Sequence, residues 1–270
     1  MPKANVNGVN INYKAHGEGE PLVLIMGFAA PRQAWFFQTR AFREYYKVVT
    51  FDNRGAAFGK TDKPSETYTI KTMADDTIGL MDCLGIDKAH ILGYSMGGII
   101  AQELVINYPE RVKKLILIST LPTTRQIASE MREALGLGED FSFSEEDIRS
   151  LDIMKALSSL VALGFNRRLY RMILAPIVPI SVRLVGLKGL MGQIEAIAGC
   201  NTLERLHTIQ APTLVIVGTG DKAALPRYSE AMASRIPNAK LVKVEGGSHG
   251  YIWEMRGRFN KEVFDFLRAN

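Results

Sequence analysis

Cysteine is scarce: two residues in 270, Cys83 and Cys200, with no Cys-x-x-Cys pair. That excludes a disulfide framework and points to a reducing compartment, the cytoplasm. Long apolar runs are also missing. Met172–Val182, 11 uncharged residues between Arg171 and Arg183, is broken by Pro176 and Pro179, well short of the roughly 20 that a membrane span needs. Residues 1–10 hold no apolar run of signal-peptide length. No charge predominates strongly: 33 basic and 28 acidic side chains leave +5, and the basic ones form no dense run. A nucleic-acid footprint needs clustering, so nucleic acid is excluded as a partner. The four histidines are scattered, and with two lone cysteines they lack metal-ligand spacing. No metal and no cofactor are expected. Repeats and low-complexity segments are absent.

What is present is an ordinary globular composition, 47% apolar and 23% charged, at a length that suits one α/β domain with an insertion. Lys3–Val6 and Val9–Lys14 flank Asn7-Gly8, a two-residue hairpin signal. Short apolar runs of buried-strand length follow at Leu22–Met26, Lys47–Phe51, Ala89–Gly93, Val112–Ile118, Pro212–Gly218 and Lys240–Glu245. Between them, helical patterns cover Gln33–Tyr45, Met73–Leu84, Met96–Tyr108, Leu225–Ile236 and Phe259–Arg268. Such alternation predicts a mostly parallel sheet with helices on both faces. It stops between Pro122 and Arg205, where the pattern is helical. The expectation is therefore a core of residues 1–121 and 206–270 with a helical insertion at 122–205. Charge is segregated within that insertion. Glu130–Asp152 carries eight acidic against two basic residues, and Ile153–Ile194 six basic and no acidic ones.

The chemistry concentrates at strand ends. Gly93-Tyr94-Ser95-Met96-Gly97-Gly98 lies where a strand becomes a helix, a turn that lifts a serine from the sheet edge and needs small residues on either side of it. Glycine-rich turns also bind phosphate, but this one lacks the Gly-Lys-Ser/Thr ending and the G-x-G-x-x-G spacing of nucleotide loops. A nucleophilic serine needs a base, and the base an orienting carboxylate. Of the four histidines only His249, in Gly246-Gly247-Ser248-His249-Gly250, follows the last strand. Asp221 follows Leu214–Val217 directly, whereas Ser119-Thr120-Leu121-Pro122, after the strand before, has no carboxylate. Asp221 is the acid by position and elimination, with Asp52 and Glu245 next in line. His90 reads as a core histidine, and Asp52 and Arg54 as holding the turn after the fourth strand.

With these motifs in this order the chain resembles the α/β-hydrolase superfamily along its whole length, and within it the lidded esterase, enol-lactonase and carbon–carbon hydrolase group. Phe51-Asp52-Asn53-Arg54-Gly55 and the tail from Phe259 to Leu267 are similar to that group. The resemblance implies an eight-stranded, mostly parallel sheet flanked by helices, with a helical cap inserted after strand 6. It also implies Ser95 as nucleophile, His249 as base, Asp221 as its partner, and an oxyanion hole from the backbone N–H groups of Phe28 and Met96. The reaction implied is hydrolysis of a carboxylic ester, lactone or thioester of a small, largely apolar substrate. Cleavage of a carbon–carbon bond in a vinylogous diketone, or slow-turnover reception of a small molecule, are the alternatives. Haloalkane dehalogenases and epoxide hydrolases of this fold use an aspartate nucleophile, which Ser95 excludes. Tyr94 and Trp35, with Arg171 and Arg183 of the insertion, are candidates for substrate contact; a monomer or homodimer is expected. Three positions depart from the family pattern. Met26-Gly27 replaces the usual His-Gly, Ala56-Ala57-Phe58 lengthens the turn after Arg54-Gly55, and Tyr94 stands where histidine or asparagine is frequent.

Overall fold

The computed structural model describes residues 2–56, 67–124 and 187–269. Eight strands are present there: β1 Lys3–Val6, β2 Val9–His16, β3 Glu20–Ile25, β4 Tyr46–Phe51, β5 Ala89–Tyr94, β6 Val112–Ile118, β7 Thr213–Gly218 and β8 Ala239–Val244. They form one sheet in the order β1-β2-β4-β3-β5-β6-β7-β8. The pairs β1/β2 and β2/β4 are antiparallel and the rest parallel. At the β1/β2 turn both Asn7 (φ 46°) and Gly8 (φ 76°) are left-handed, as a type I′ hairpin requires.

The helices are α1 Phe36–Phe42, α2 Ile70–Cys83, α3 Met96–Asn107, α4 Leu187–Ala198, α5 Pro226–Arg235, α6 Tyr251–Glu254 and α7 Arg256–Arg268. Central strands are apolar on both faces, and successive residues feed opposite cores. Val23, Ile25, Ile91, Leu115, Leu117 and Val215 pack with Met73 of α2, Ile100 of α3 and Met232 of α5. Leu22, Leu24, Leu92, Ile116, Ile118 and Ile216 pack with Phe42 of α1 and with Phe259 and Val263 of α7. This period-2 division makes the parallel sheet a double-sided core.

Several boundaries differ from the sequence expectation. Gln33–Tyr45 is not one helix: a 3₁₀ turn at Arg32–Trp35 precedes α1, with the wholly buried Trp35 at the junction. Helix α2 starts at Ile70 rather than Met73, because Thr69 and Thr72 exchange side-chain-to-backbone hydrogen bonds in a capping box. Helix α7 starts three residues before Phe259, and its exposed first turn has no apolar residue to mark it. Within the expected insertion α4 is helical, and a 3₁₀ turn at Leu203–Thr208 spans its expected end; residues 125–186, which include Arg171 and Arg183, lie outside the described residues, as does the lengthened turn from Ala57 to Asp62. Among the described residues no helix is long and apolar enough to cross a membrane.

Candidate active site

The carboxyl ends of β5, β7 and β8 bring three side chains together. Ser95 lies between β5 and α3 with φ 54° and ψ −122°, a conformation that an L-residue adopts only under constraint. The constraint is visible at both its peptide groups. Its N–H donates to the Ile118 carbonyl at 2.9 Å, and its carbonyl accepts from Gly98 N at 2.8 Å and Thr120 Oγ1 at 2.7 Å. A serine at a helix N-cap ordinarily bonds its own helix; here no side-chain cap forms, so Oγ is available elsewhere. The crossing is tight. A Cβ on Gly93 would meet the Gly97 backbone, and one on Gly97 the Ile25 carbonyl. The glycines are thus a steric requirement of the turn.

His249 stands on the loop after β8. Its Nε2 is 3.2 Å from Ser95 Oγ, and its Nδ1 is 2.9 and 3.1 Å from the two Asp221 oxygens. The loops carrying Asp221 and His249 are joined through their backbones: Thr219 N donates to Val244 O at 3.0 Å and Gly220 N to Gly247 O at 2.8 Å. Asp221 is almost wholly buried. Burial acts to raise its pKa, but the charge and hydrogen bond of His249 and the N–H of Ala224 outweigh it and hold the carboxyl below its ordinary value. An ionised Asp221 aimed at Nδ1 leaves Nε2 as the acceptor facing Ser95.

The other carboxylates considered are engaged elsewhere or remote. Asp52 accepts from Asn12 Nδ2 at 2.5 Å and Arg32 N at 2.8 Å, and Glu245 is exposed. Arg54 forks onto Asp76 at 2.7 and 2.8 Å in a buried pair that fixes the turn after β4. His90 is buried on β5 and meets Glu20 at 3.0 Å. Among the described residues no cluster of three metal-ligating side chains occurs.

The segment after β3 lies against Ser95: a Cβ on Gly27 would be 3.1 Å from Ser95 Cβ. Among the described residues the N–H groups of Phe28 and Met96 have no protein acceptor. Met26 cannot supply a polar brace, but two amides that sequence reasoning missed do so. Asn53 Nδ2 donates to Met26 O at 2.7 Å, and Gln193 Oε1 accepts from Ala29 N at 2.8 Å. A third missed contact is Ser248 Oγ with Glu254 at 2.5 Å, just before His249. Asn53 and Ser248 lie within motifs quoted above, which do not announce these bonds, and Gln193, 164 residues from Ala29, lies in none.

Of the candidate substrate contacts, Tyr94 and Trp35 lie among the described residues. Trp35 is fully buried and Tyr94 is 5% exposed. The Tyr94 ring lies 5.1 Å from the His249 ring and 5.3 Å from that of Trp253, and its hydroxyl donates to the His249 carbonyl at 3.1 Å. Tyr94 thus packs against the histidine loop, and Trp35 meets the Tyr94 ring edge-on at 6.2 Å between centroids.

Residues 20–254 match the family model described as alpha/beta hydrolase fold. Among curated proteins the chain is similar to RutD of Azorhizobium caulinodans, provisionally named a carbamate hydrolase, with 26% identity over 98% of each chain. Among solved structures it is similar to the enol-lactonase of Burkholderia xenovorans LB400, with a TM-score of 0.81 and 26% identity over 99% of this chain and 100% of that one. The meta-cleavage product hydrolase of Pseudomonas fluorescens IP01 superposes with a TM-score of 0.82 and 26% identity, over 99% and 97%.

Proposed function

This chain belongs to the alpha/beta-hydrolase family, and from that membership we propose that it is a serine hydrolase cleaving a carboxylic ester, lactone or thioester of a small, largely apolar substrate. The observation that carries this reading is His249, within hydrogen-bond reach of Ser95 Oγ on one side and of Asp221 on the other. Ser95 Oγ attacks the acyl carbonyl while His249 Nε2 takes its proton, and Asp221 stabilises the imidazolium. The oxyanion accepts from the N–H groups of Phe28 and Met96. His249 then protonates the leaving oxygen or sulfur, and the acyl group remains on Ser95. Water attacks this ester with His249 again as base, releasing the acid and the free serine.

Within this proposal the insertion, residues 122–205, is a helical cap that shapes the acyl pocket, and Arg171 and Arg183 are its candidates for meeting an anionic end of the substrate, against the alternative of a solvated or ion-paired basic face. Arginine suits that role because its planar fork grips a carboxylate through two hydrogen bonds. No cofactor enters the scheme. A cytoplasmic setting is part of the proposal, supported by Cys83 and Cys200, which are unpaired.

A fluorophosphonate probe tests the assignment. One serine should label, the label should map to Ser95, and Ser95→Ala should lose it together with roughly 10⁴–10⁶ in kcat while keeping its fold. Labelling that survives Ser95→Ala rejects the nucleophile. A panel of esters and thioesters of graded acyl length, with carboxylate-bearing analogues and a vinylogous diketone, then identifies the bond cleaved.

A further inference from the structure

Three consecutive peptide planes run from Met26 to Ala29, and the middle one, between Gly27 and Phe28, carries the Phe28 N–H. The planes on either side are each held by a buried amide. Asn53 Nδ2 fixes the Met26 carbonyl, and Gln193 Oε1 fixes the Ala29 N–H. Ala29 is left-handed, with φ 53°, a conformation that is unfavourable for an alanine because its Cβ crowds the backbone. The Gln193 bond therefore acts on a residue with a reason to relax, next to the plane that must not turn.

Gln193 does not belong to the same part of the chain as its partners. It sits on α4, the helix by which the chain returns from the insertion, and it is wholly buried. Its Nε2 donates to the Arg54 carbonyl at 2.8 Å, so both ends of the amide are engaged and its orientation is fixed. The helix around it is anchored at two further points. Tyr68 donates to the Gly189 carbonyl at 3.0 Å, and the Thr124 hydroxyl meets the carbonyls of Ile197 and Ala198 at 3.0 and 2.9 Å.

We infer that Gln193 is a positioning residue that sets the oxyanion hole, tying the Phe28 N–H to the insertion's return helix and so making the hole depend on how that helix is seated. This rests on the serine-hydrolase reading and adds a residue to it. Removing one oxyanion donor outright costs about 10²–10³ in kcat; loosening its support should cost less, about 10–100-fold. The loss falls on kcat because the donor is used where charge develops on the substrate oxygen.

The experiment compares wild type, Gln193→Met and Gln193→Glu in the full chain. The methionine variant keeps length and apolar packing but no polar atoms. The glutamate variant keeps an acceptor for Ala29 N–H and loses the donor to Arg54. Measured are kcat and KM for an activated ester, melting temperature, and affinity for an aryl boronic acid, whose tetrahedral adduct with Ser95 puts an oxygen in the hole. Expected in Gln193→Met is a 10–100-fold lower kcat, KM within about twofold, and boronate affinity falling in parallel with kcat; Gln193→Glu should fall between the two. Unchanged kcat in a folded variant, or a loss confined to KM, overturns the inference while leaving Ser95 as nucleophile. Should Gln193→Met not fold, Gln193→Glu decides on the same criteria. A wild-type chain that neither labels at Ser95 nor turns over esters overturns both this inference and the reading beneath it.

Discussion

The two halves of the candidate site are built differently. The half proposed for proton transfer, Ser95, His249 and Asp221, comes from loops after β5, β7 and β8: backbone hydrogen bonds join the last two loops to each other and tie Ser95 to Ile118 at the end of β6. In the half proposed for the oxyanion, Met26 to Ala29, two side-chain amides, one of them on α4, add to a backbone bond from Ala30 N to Gly27 O at 3.4 Å. A sheet end braced by its own backbone changes little when surface residues change. A loop braced by side chains can be retuned by a single substitution.

The sharpest break of the first half is Asp221→Asn, which keeps the shape but offers His249 the wrong partner. Activity should fall by about 10³–10⁴ in kcat with KM nearly unchanged. The same variant tests the electrostatics. Asp221 has a lowered pKa in the folded chain, so its contribution to stability is present above the ordinary carboxylate value and is lost as pH falls through the lowered one. Acid unfolding of wild type should therefore show a proton-linked loss at low pH that Asp221→Asn lacks, read by circular dichroism across pH. Identical acid profiles would show that the buried carboxylate is not differentially ionised.

On the oxyanion side, Asn53→Ala frees the Met26 carbonyl and should lower kcat about tenfold, with a stability loss of about 1–3 kcal/mol. Steady-state kinetics beside urea denaturation checks both. If the loss in kcat matches that in Asp221→Asn, the contrast between the halves disappears. A smaller effect is expected for Tyr94→Phe, which removes the hydroxyl from the His249 carbonyl but keeps the ring. A decrease of a few-fold in kcat and about 1 kcal/mol in stability is expected; full activity would mean that ring packing alone seats the histidine loop.

The smallest effect should come from the amino end of β3, away from the site at the strands' carboxyl ends. Glu20 is held at a pKa of about 2 by Lys113 and by His90. It is largely exposed, so Glu20→Gln should cost under about 1 kcal/mol and leave kcat unchanged. That cost is present above the ordinary value of 4.5 and fades as pH falls toward about 2. Thermal melts at several pH values check it, and any change in kcat would link the two ends of the sheet.

How much of this was legible in the sequence follows from how far each signal reaches. Strands such as β5 and β6 carry buried apolar runs, Ile91–Leu92 and Leu115–Ile118, and a run of that kind between turn signals reports a strand directly. Ser95 is legible because the crowded turn admits only glycine at Gly93 and Gly97. His249 and Asp221 follow from their places after strands. The amide braces leave no such trace. Gln193 meets Ala29 across 164 residues and Arg54 across 139, and an isolated glutamine in a helix reads as surface. Tyr94 is ambiguous in the sequence, since an aromatic beside a candidate nucleophile can line a pocket but is usually packing. The start of α2 was missed because its cap uses Thr72 where the familiar pattern has an acidic or amide side chain.

Helix α4 crosses the turn after β4 with backbone almost touching backbone: a Cβ on Gly189 would come within 2.7 Å of the Gly55 carbonyl. One turn further along, Gln193 reaches into the same turn. Together they form a plug and its socket. For anyone recombining this chain with its relatives, the unit of exchange is then not the stretch between β6 and β7 at arbitrary joints. A transplanted insertion should keep its own last helix only if that helix has a glycine and, four residues on, an amide; otherwise the joint belongs upstream of Leu187. Chimeras cut on either side of that point, compared in folding and melting temperature, would show whether the helix has to travel with its socket.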